Sequence, residues 1–371
     1  MTAAPSLLTM VIGFLLVLGP LVVLHELGHY LVGRMFGIKA DAFSVGFGKE
    51  LAGYTDKRGT RWKLSALPLG GYVQFAGDMN PASAPSPEQD GLTPQERAQT
   101  FHAKPVWQRA LVVLAGPLTN LVCAVLIFAA FNLAYGRIVA VPEVQTFTQE
   151  SSAQAAGVQL GDRIVAVNGN KIDSFNDIPE YVVPYPGNTV NLAVKRGEQA
   201  LVIPVKIGSS VERDTFGNEA RVGRIGVGGG KGEIVPVGAV EAVQLGVEQS
   251  FGIMRMMVAG IGQIITGDRS VKELGGPIKI AKYSGEQLSL GWLPFVQFAA
   301  LISINLAFIN LLPIPGLDGG HLAFYAAEAV RRKPLGLRSQ EWAVRTGVAL
   351  VLSLMLFVTI NDVVSLPIFG G

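Results

Sequence analysis

Two histidines and a glutamate stand in VVLHELGHYL, residues 22–31, within one of the most apolar runs of the chain. An acid or base near the centre of a membrane helix costs about 2.5–3.5 kcal/mol on insertion scales, so such groups need compensation. His25 and His29 are four positions apart. On a helix that spacing places them on one face, near enough for both imidazoles to reach one ion. Glu26 flanks that face, completing the His-Glu-x-x-His pattern in which the histidines bind zinc and the glutamate serves as general base on water. Two histidines present only for packing would leave Glu26 buried without a reason.

Catalytic zinc takes three protein ligands and keeps one position open, so a third ligand is required. The other histidines are His102, in a polar loop, and His321; Asp318 in NLLPIPGLDGG, residues 310–320, is the third candidate. Asp318 is the best placed, because the spans carrying it and His29 run in the same direction and both residues lie near the same ends. Gly319 and Gly320 are expected to let the backbone turn just after it. The competing reading makes Asp318 the cap of a helix beginning HLAFYAAEAV.

Pro313 and Pro315 preclude a regular helix there, and irregular backbone at membrane depth is tolerated only where it is buried in protein or lines a wet cavity. Asn305 and Asn310 are then candidates to hydrogen-bond a substrate backbone or a developing oxyanion, with interhelical packing as the alternative. AGPLTN, residues 115–120, combines an expected helix break with a buried amide, Asn120.

These residues require elements that hold them in an apolar medium. Of the 371 residues, 49% are hydrophobic and 16% charged, against about 25% charged in an average soluble domain. Four runs are long enough to cross about 30 Å of hydrocarbon: Leu7 to Val32, Trp107 to Tyr135, Leu293 to Leu312, and Val344 to Leu366. The first lacks the basic start of a secretion signal and exceeds its length. Basic residues after the first span (Arg34, Lys39, Lys57, Arg58) and after the third (Arg331, Arg332, Lys333, Arg338) put both loops in the cytoplasm. Both termini and the segment from about 136 to 292 then lie outside it. The net charge of +2 offers no footprint for nucleic acid. The single Cys123 excludes disulfides and thiolate metal sites within the chain.

FSVGFG (43–48) and LPLGGYVQFAG (67–77) read as short strands that could form a hairpin dipping toward the membrane, or an ordinary small sheet. NPASAPSPEQDGLTPQ, 80–95, reads as a flexible connector. Strand-like pieces from 151 to 227 include Asn168-Gly169, a strong hairpin signal, and AAGVQLGDRIVAVNG resembles the PDZ family. Residues 240–267 suit a helix lying at the membrane surface. The fold expected is a polytopic α-helical membrane protein with four transmembrane helices, a membrane-associated β-hairpin region and one inserted β-rich PDZ domain. It divides at 1–139, 140–230 and 231–371.

Together the motifs resemble the site-2 protease family of intramembrane zinc metalloproteases, in its bacterial regulator-of-sigma-E protease type with a PDZ insertion. HELGH (25–29), GFG (46–48), LGGYV (69–73), GPLTN (116–120) and NLLPIPGLDGG carry the likeness. The resemblance implies Zn²⁺ held by His25, His29 and Asp318, with Glu26 as catalytic base. It implies a substrate strand held by Asn305, Asn310 and the segment Gly46, Phe47, Gly48. It further implies single-span membrane protein substrates of the anti-sigma-factor kind, trimmed first by an upstream site-1-type protease, in a bacterial inner membrane whose lipid surrounds the spans. Two rival readings are a membrane zinc transporter, which has no use for Glu26, and a catalytically silent PDZ scaffold, which has no use for the metal triad.

Overall fold

The structure is a computed structural model that describes residues 5–77, 93–213, 219–267, 270–271, 275–333 and 336–364. Its contacts divide into two compact units, Met1–Ile127 with Gly275–Asp362, and Phe128–Leu274 with Val363–Gly371.

The first unit opens with helix α1, Leu7–Met35, whose first turn is capped by the Ser6 hydroxyl accepting from Thr9 N–H at 3.1 Å. The chain then forms a two-stranded antiparallel sheet from β1, Ala40–Thr55, and β2, Arg61–Phe75. A short α2, Pro94–Ala98, follows. It is closed by a reciprocal Thr93 and Glu96 capping box, so the connector expected over 80–95 becomes helical at its end. The rest of that connector lies outside the described residues. Helix α3 covers Val106–Tyr135 and passes from the first unit into the second.

Helix α3 corrects the expected break in AGPLTN, because it runs continuously through Pro117. Proline removes one backbone donor, and neighbouring groups re-satisfy what it loosens. The carbonyl left without its helical donor is that of Val113; nearby, the Thr119 hydroxyl donates to the Ala115 carbonyl at 2.8 Å and the Val112 carbonyl faces His29 Nδ1 at 2.8 Å.

Two buried clusters fix α1 within this unit. Tyr30, Ile38, Phe43, Phe75, Phe101, Val112 and Tyr325 pack as one body, with Phe43 stacked on Trp62 at 4.5 Å between ring centres. Farther along α1, Val17 and Leu21 pack with Phe295 and Ile302.

The second unit contains β3 (Arg137–Val139), β4 (Thr146–Phe147), α4 (Ser152–Ala155), β5 (Arg163–Val167), β6 (Asn170–Lys171) and α5 (Ile178–Val182). It continues through β7 (Thr189–Arg196), β8 (Gln199–Lys206), β9 (Gly208–Arg213), β10 (Glu219–Arg224), β11 (Val227–Gly228), β12 (Glu233–Val235) and α6 (Ala239–Thr266). Four strands form an antiparallel sheet in the order β6-β5-β7-β8, and three two-stranded ladders join β3 to β12, β4 to β11 and β9 to β10. Asn168 and Gly169 both adopt positive φ at the turn between β5 and β6, as the hairpin signal demands. The buried cluster of this unit runs from Val144 to Ile225 through Ile164, Leu192 and Val194. Asp162 is fully buried beside it, and the Arg196 guanidinium donates to both its oxygens at 2.7 Å, holding the carboxyl below the usual carboxylate range.

The chain returns to the first unit as α7 (Pro277–Leu290), α8 (Trp292–Leu311), α9 (Asp318–Arg331) and α10 (Leu337–Val364). Among the described residues, four helical stretches are long and apolar enough to cross a membrane: Leu7–Met35, Val106–Tyr135, Trp292–Leu311 and Arg338–Val364. The helix expected near 240–267 forms as α6 and is not one of them.

Candidate metal centre

Helical spacing on α1 brings His25 Nε2 and His29 Nε2 to 3.2 Å of each other, with the two rings edge to face. Between α8 and α9 the chain leaves helical geometry at Leu312 and resumes it at Asp318, across the segment containing Pro313 and Pro315. That interruption delivers the Asp318 carboxylate to the histidines, its Oδ2 3.2 Å from His25 Nε2 and 3.6 Å from His29 Nε2. One ligand atom from each of the three residues lies within 4.8 Å of the others.

The three side chains fit a metal ion on two grounds. Their donor set, two imidazole nitrogens and a carboxylate oxygen, suits zinc. Asp318 Oδ2 is also buried without a hydrogen-bond partner. A carboxylate oxygen placed so has its electrostatic demand met by a cation. Asp318 is not a helix cap: the cap position is Leu317, and no side chain bonds the first turn there. Gly319 and Gly320 differ from expectation too, since neither adopts positive φ and the turning glycine is Gly316, at φ 97. Their role is close approach, because a Cβ at Gly319 would meet the Leu312 carbonyl oxygen at 2.3 Å and one at Gly320 the Ile314 carbonyl oxygen at 2.4 Å.

Neighbouring groups orient the ligands. His29 Nδ1 lies 2.8 Å from the Val112 carbonyl, which can only accept, so Nδ1 carries the proton and Nε2 presents its lone pair to the centre. The Asn120 amide, fully buried on α3, lies 3.4 Å from His25 Nδ1 through its nitrogen, while its Oδ1 is buried without a partner. The two orientations of an amide occupy the same volume, and the one that turns Oδ1 toward Nδ1–H satisfies both groups and frees His25 Nε2 in the same way. Ser303 on α8 donates to the Asn120 backbone carbonyl at 2.7 Å, tying α3 to the helix that leads toward Asp318. Gly116, one turn from Asn120, supplies space: a Cβ there would lie 2.2 Å from His29 Nε2 and 2.9 Å from His25 Cε1. Within AGPLTN, the sequence marks Asn120 as a buried amide and does not mark Gly116 as the residue that makes room for the rings.

A cavity of about 350 Å³ opens onto this centre. Glu26 enters it, with Oε2 accepting from the Val73 N–H of β2 at 3.1 Å. Among the other expected site residues, Asn310 and Phe47 line the cavity, and Phe47 stacks on Tyr72 with ring centres 6.0 Å apart. Gly46 and Gly48 flank Phe47 on β1 at positive φ. Asn305 is not among the lining residues, because five positions along a helix turn a side chain roughly 140° away from Asn310. Of the alternative ligands, His321 lines the cavity and His102 does not.

The family model described as peptidase family M50 matches residues 13–354. A protein of Agrobacterium fabrum with the provisional name zinc metalloprotease is 44% identical over 371 residues, covering 99% of this chain and 98% of its own. A protein of Mesorhizobium japonicum with the same provisional name is 43% identical over 358 residues, covering 94% and 97%. The metalloprotease MmpA of Caulobacter vibrioides is 33% identical over 387 residues, covering 98% and 97%. The PDZ domain of an SdrC-like protein from Listeria monocytogenes shares 23% identity over 24% of this chain and 84% of its own, with a TM-score of 0.19, a likeness too slight to carry weight.

Proposed function

This chain belongs to peptidase family M50, the site-2 protease family, and from that premise we propose that it hydrolyses peptide bonds in or near the transmembrane segment of single-span membrane proteins. It is a zinc metalloprotease and a multi-pass membrane protein. The observation that carries the proposal is the meeting of His25 and His29, on an apolar helix, with Asp318 beside Glu26 in one cavity.

Zinc held by the three ligands supplies the Lewis acid that polarises a scissile carbonyl and eases the ionisation of water. The remaining work belongs to the chain's own side chains. Glu26 holds one oxygen, Oε2, fixed by Val73 N–H, which leaves Oε1 to take a proton from the attacking water and pass it to the leaving amine. A substrate helix shields its amides with internal hydrogen bonds and must be drawn out locally. Strand addition along the segment Gly46, Phe47, Gly48, with Asn310 bonding the extended backbone, supplies that step. Asn305, turned to another face of α8, is left to packing between helices.

The basic loops support a reading with the centre toward the cytoplasmic side of a bacterial inner membrane and residues 140–230, read as a PDZ domain, on the other side. A domain there selects substrates, admitting those with a short extracytoplasmic stump left by an upstream site-1-type protease and obstructing bulky ones. Anti-sigma-factor-like proteins fit that description.

The test uses purified full-length protein and a model transmembrane peptide. Glu26→Gln preserves size and leaves the ligands intact, so it keeps its zinc and loses cleavage by several orders of magnitude. Asp318→Ala loses both zinc and cleavage, since two imidazoles alone make a weak site. Cleavage by Glu26→Gln at the wild-type rate, or full zinc occupancy in Asp318→Ala, would sink this reading.

A further inference from the structure

His321 is the one histidine of the cavity that the metal triad does not use. It stands three residues after Asp318 on α9, a spacing that sets both side chains on the same face of the helix. Its ring is half-buried and meets Phe324 edge to face at 6.2 Å, but neither ring nitrogen has a hydrogen-bond partner among the described residues. An imidazole open to a cavity without a partner has its donor available to whatever enters.

We propose that His321 donates a hydrogen bond to the carbonyl oxygen of the scissile peptide as negative charge builds on it, an inference that rests on the protease reading above. Three ligands already converge within 4.8 Å, and a catalytic zinc needs its fourth position open, so a fourth protein ligand would close the site. What the reaction still lacks is a fixed donor aimed where charge develops, and such a donor acts most strongly where water is excluded. Asp318 is committed as a ligand and Glu26 to proton transfer; the Tyr72 hydroxyl accepts from the Lys63 ammonium at 3.4 Å and keeps its own O–H, but it stands on β2, whereas His321 shares the helix of a metal ligand. Asn310 is also unpartnered among the described residues, but it stands on α8, before the interruption, whereas His321 shares the helix face of a metal ligand. The geometry therefore gives His321 to the reacting carbonyl and Asn310 to the substrate backbone beside it.

The experiment compares wild type, His321→Ala, His321→Gln, Asn310→Ala and Glu26→Gln as full-length zinc-loaded proteins. Zinc content and thermal midpoint are measured for each, with kcat and KM on a model transmembrane peptide. Affinity is measured for a phosphinic peptide that mimics the tetrahedral carbon and for the matching uncleavable substrate peptide. For His321→Ala the expected result is unchanged zinc and thermal midpoint, kcat down about 10²–10³-fold and KM within twofold. The phosphinic peptide should weaken by a similar factor while the substrate peptide does not. His321→Gln, which keeps a donor, recovers part of kcat, and Asn310→Ala raises KM instead. Loss of zinc from His321→Ala and His321→Gln would make the residue a ligand and overturn the inference. An unchanged kcat, or a change in KM alone, overturns it equally. A wild type that cleaves nothing, or Glu26→Gln as fast as wild type, overturns the protease reading and this inference with it. Glutamate-dependent cleavage with an indifferent His321→Ala overturns the inference alone.

Discussion

At the scale of single residues, the metal centre depends as much on what is missing as on the ligands. Gly116 faces both imidazoles, and the atom nearest to an added methyl is His29 Nε2, the nitrogen presented to the ion, followed by the Cε1 atoms of both rings. In a helix interior alanine is favoured over glycine by about 1 kcal/mol, so Gly116→Ala should strengthen α3 as a helix. The same methyl would push the rings off their positions, and a ligand displaced by a few tenths of an ångström no longer meets zinc at its bonding distance. We expect Gly116→Ala to keep its thermal midpoint within a few degrees while its zinc affinity drops at least tenfold, measured by competition with a chelator. Unaltered affinity would show that the rings can give way without cost.

At the scale of elements, the position of Asp318 is set by α9 as a whole. Ten residues along that helix, roughly 15 Å away, Glu328 accepts from Arg109 of α3 at 2.9 Å, and both side chains are nearly buried. Arg109 also lies over the Tyr325 ring at 4.8 Å, and Gln340 of α10 reaches Glu328 at 3.4 Å. This pair ties α9 to the helix that carries Gly116 and Asn120. Arg109→Met leaves the Glu328 charge buried without its main partner, a change that costs about 3–5 kcal/mol in such pairs, whereas an apolar replacement of both partners is often neutral. Arg109→Met should therefore lower both stability and zinc retention although it touches no ligand, and Arg109→Met with Glu328→Leu should recover most of each. A double variant no better than the single one would remove the pair from the account of how Asp318 is held.

At the scale of the whole molecule, sidedness decides which end of α1 and of α8 faces which compartment. On the proposed orientation, with the basic loops inside, Arg332 would lie in the cytoplasm and Asn168 on the opposite side. In a Cys123→Ala background, a cysteine at Asn168 should react with an impermeant maleimide on intact cells. A cysteine at Arg332 should react only after the inner face is opened. Reaction of both from outside would contradict the four-span arrangement and with it the proposed compartment of the β-rich domain.

Local spacing determined much of this protein. A spacing of four positions between two histidines fixes a shared helical face whatever surrounds it, long apolar runs fix four helices, and Asn168-Gly169 fixes a hairpin, because each depends on backbone geometry within a few residues. The directions of the spans favour Asp318 over His102 and His321 as the third candidate ligand, but spacing alone cannot supply the contact, since its meeting with α1 depends on how α9 packs. The orienting Val112 carbonyl, the room left at Gly116 and the open nitrogens of His321 are likewise products of packing between helices distant in sequence. Pro117 shows the same limit from the other side: proline predicts a broken helix, and in the folded chain α3 nevertheless runs through it.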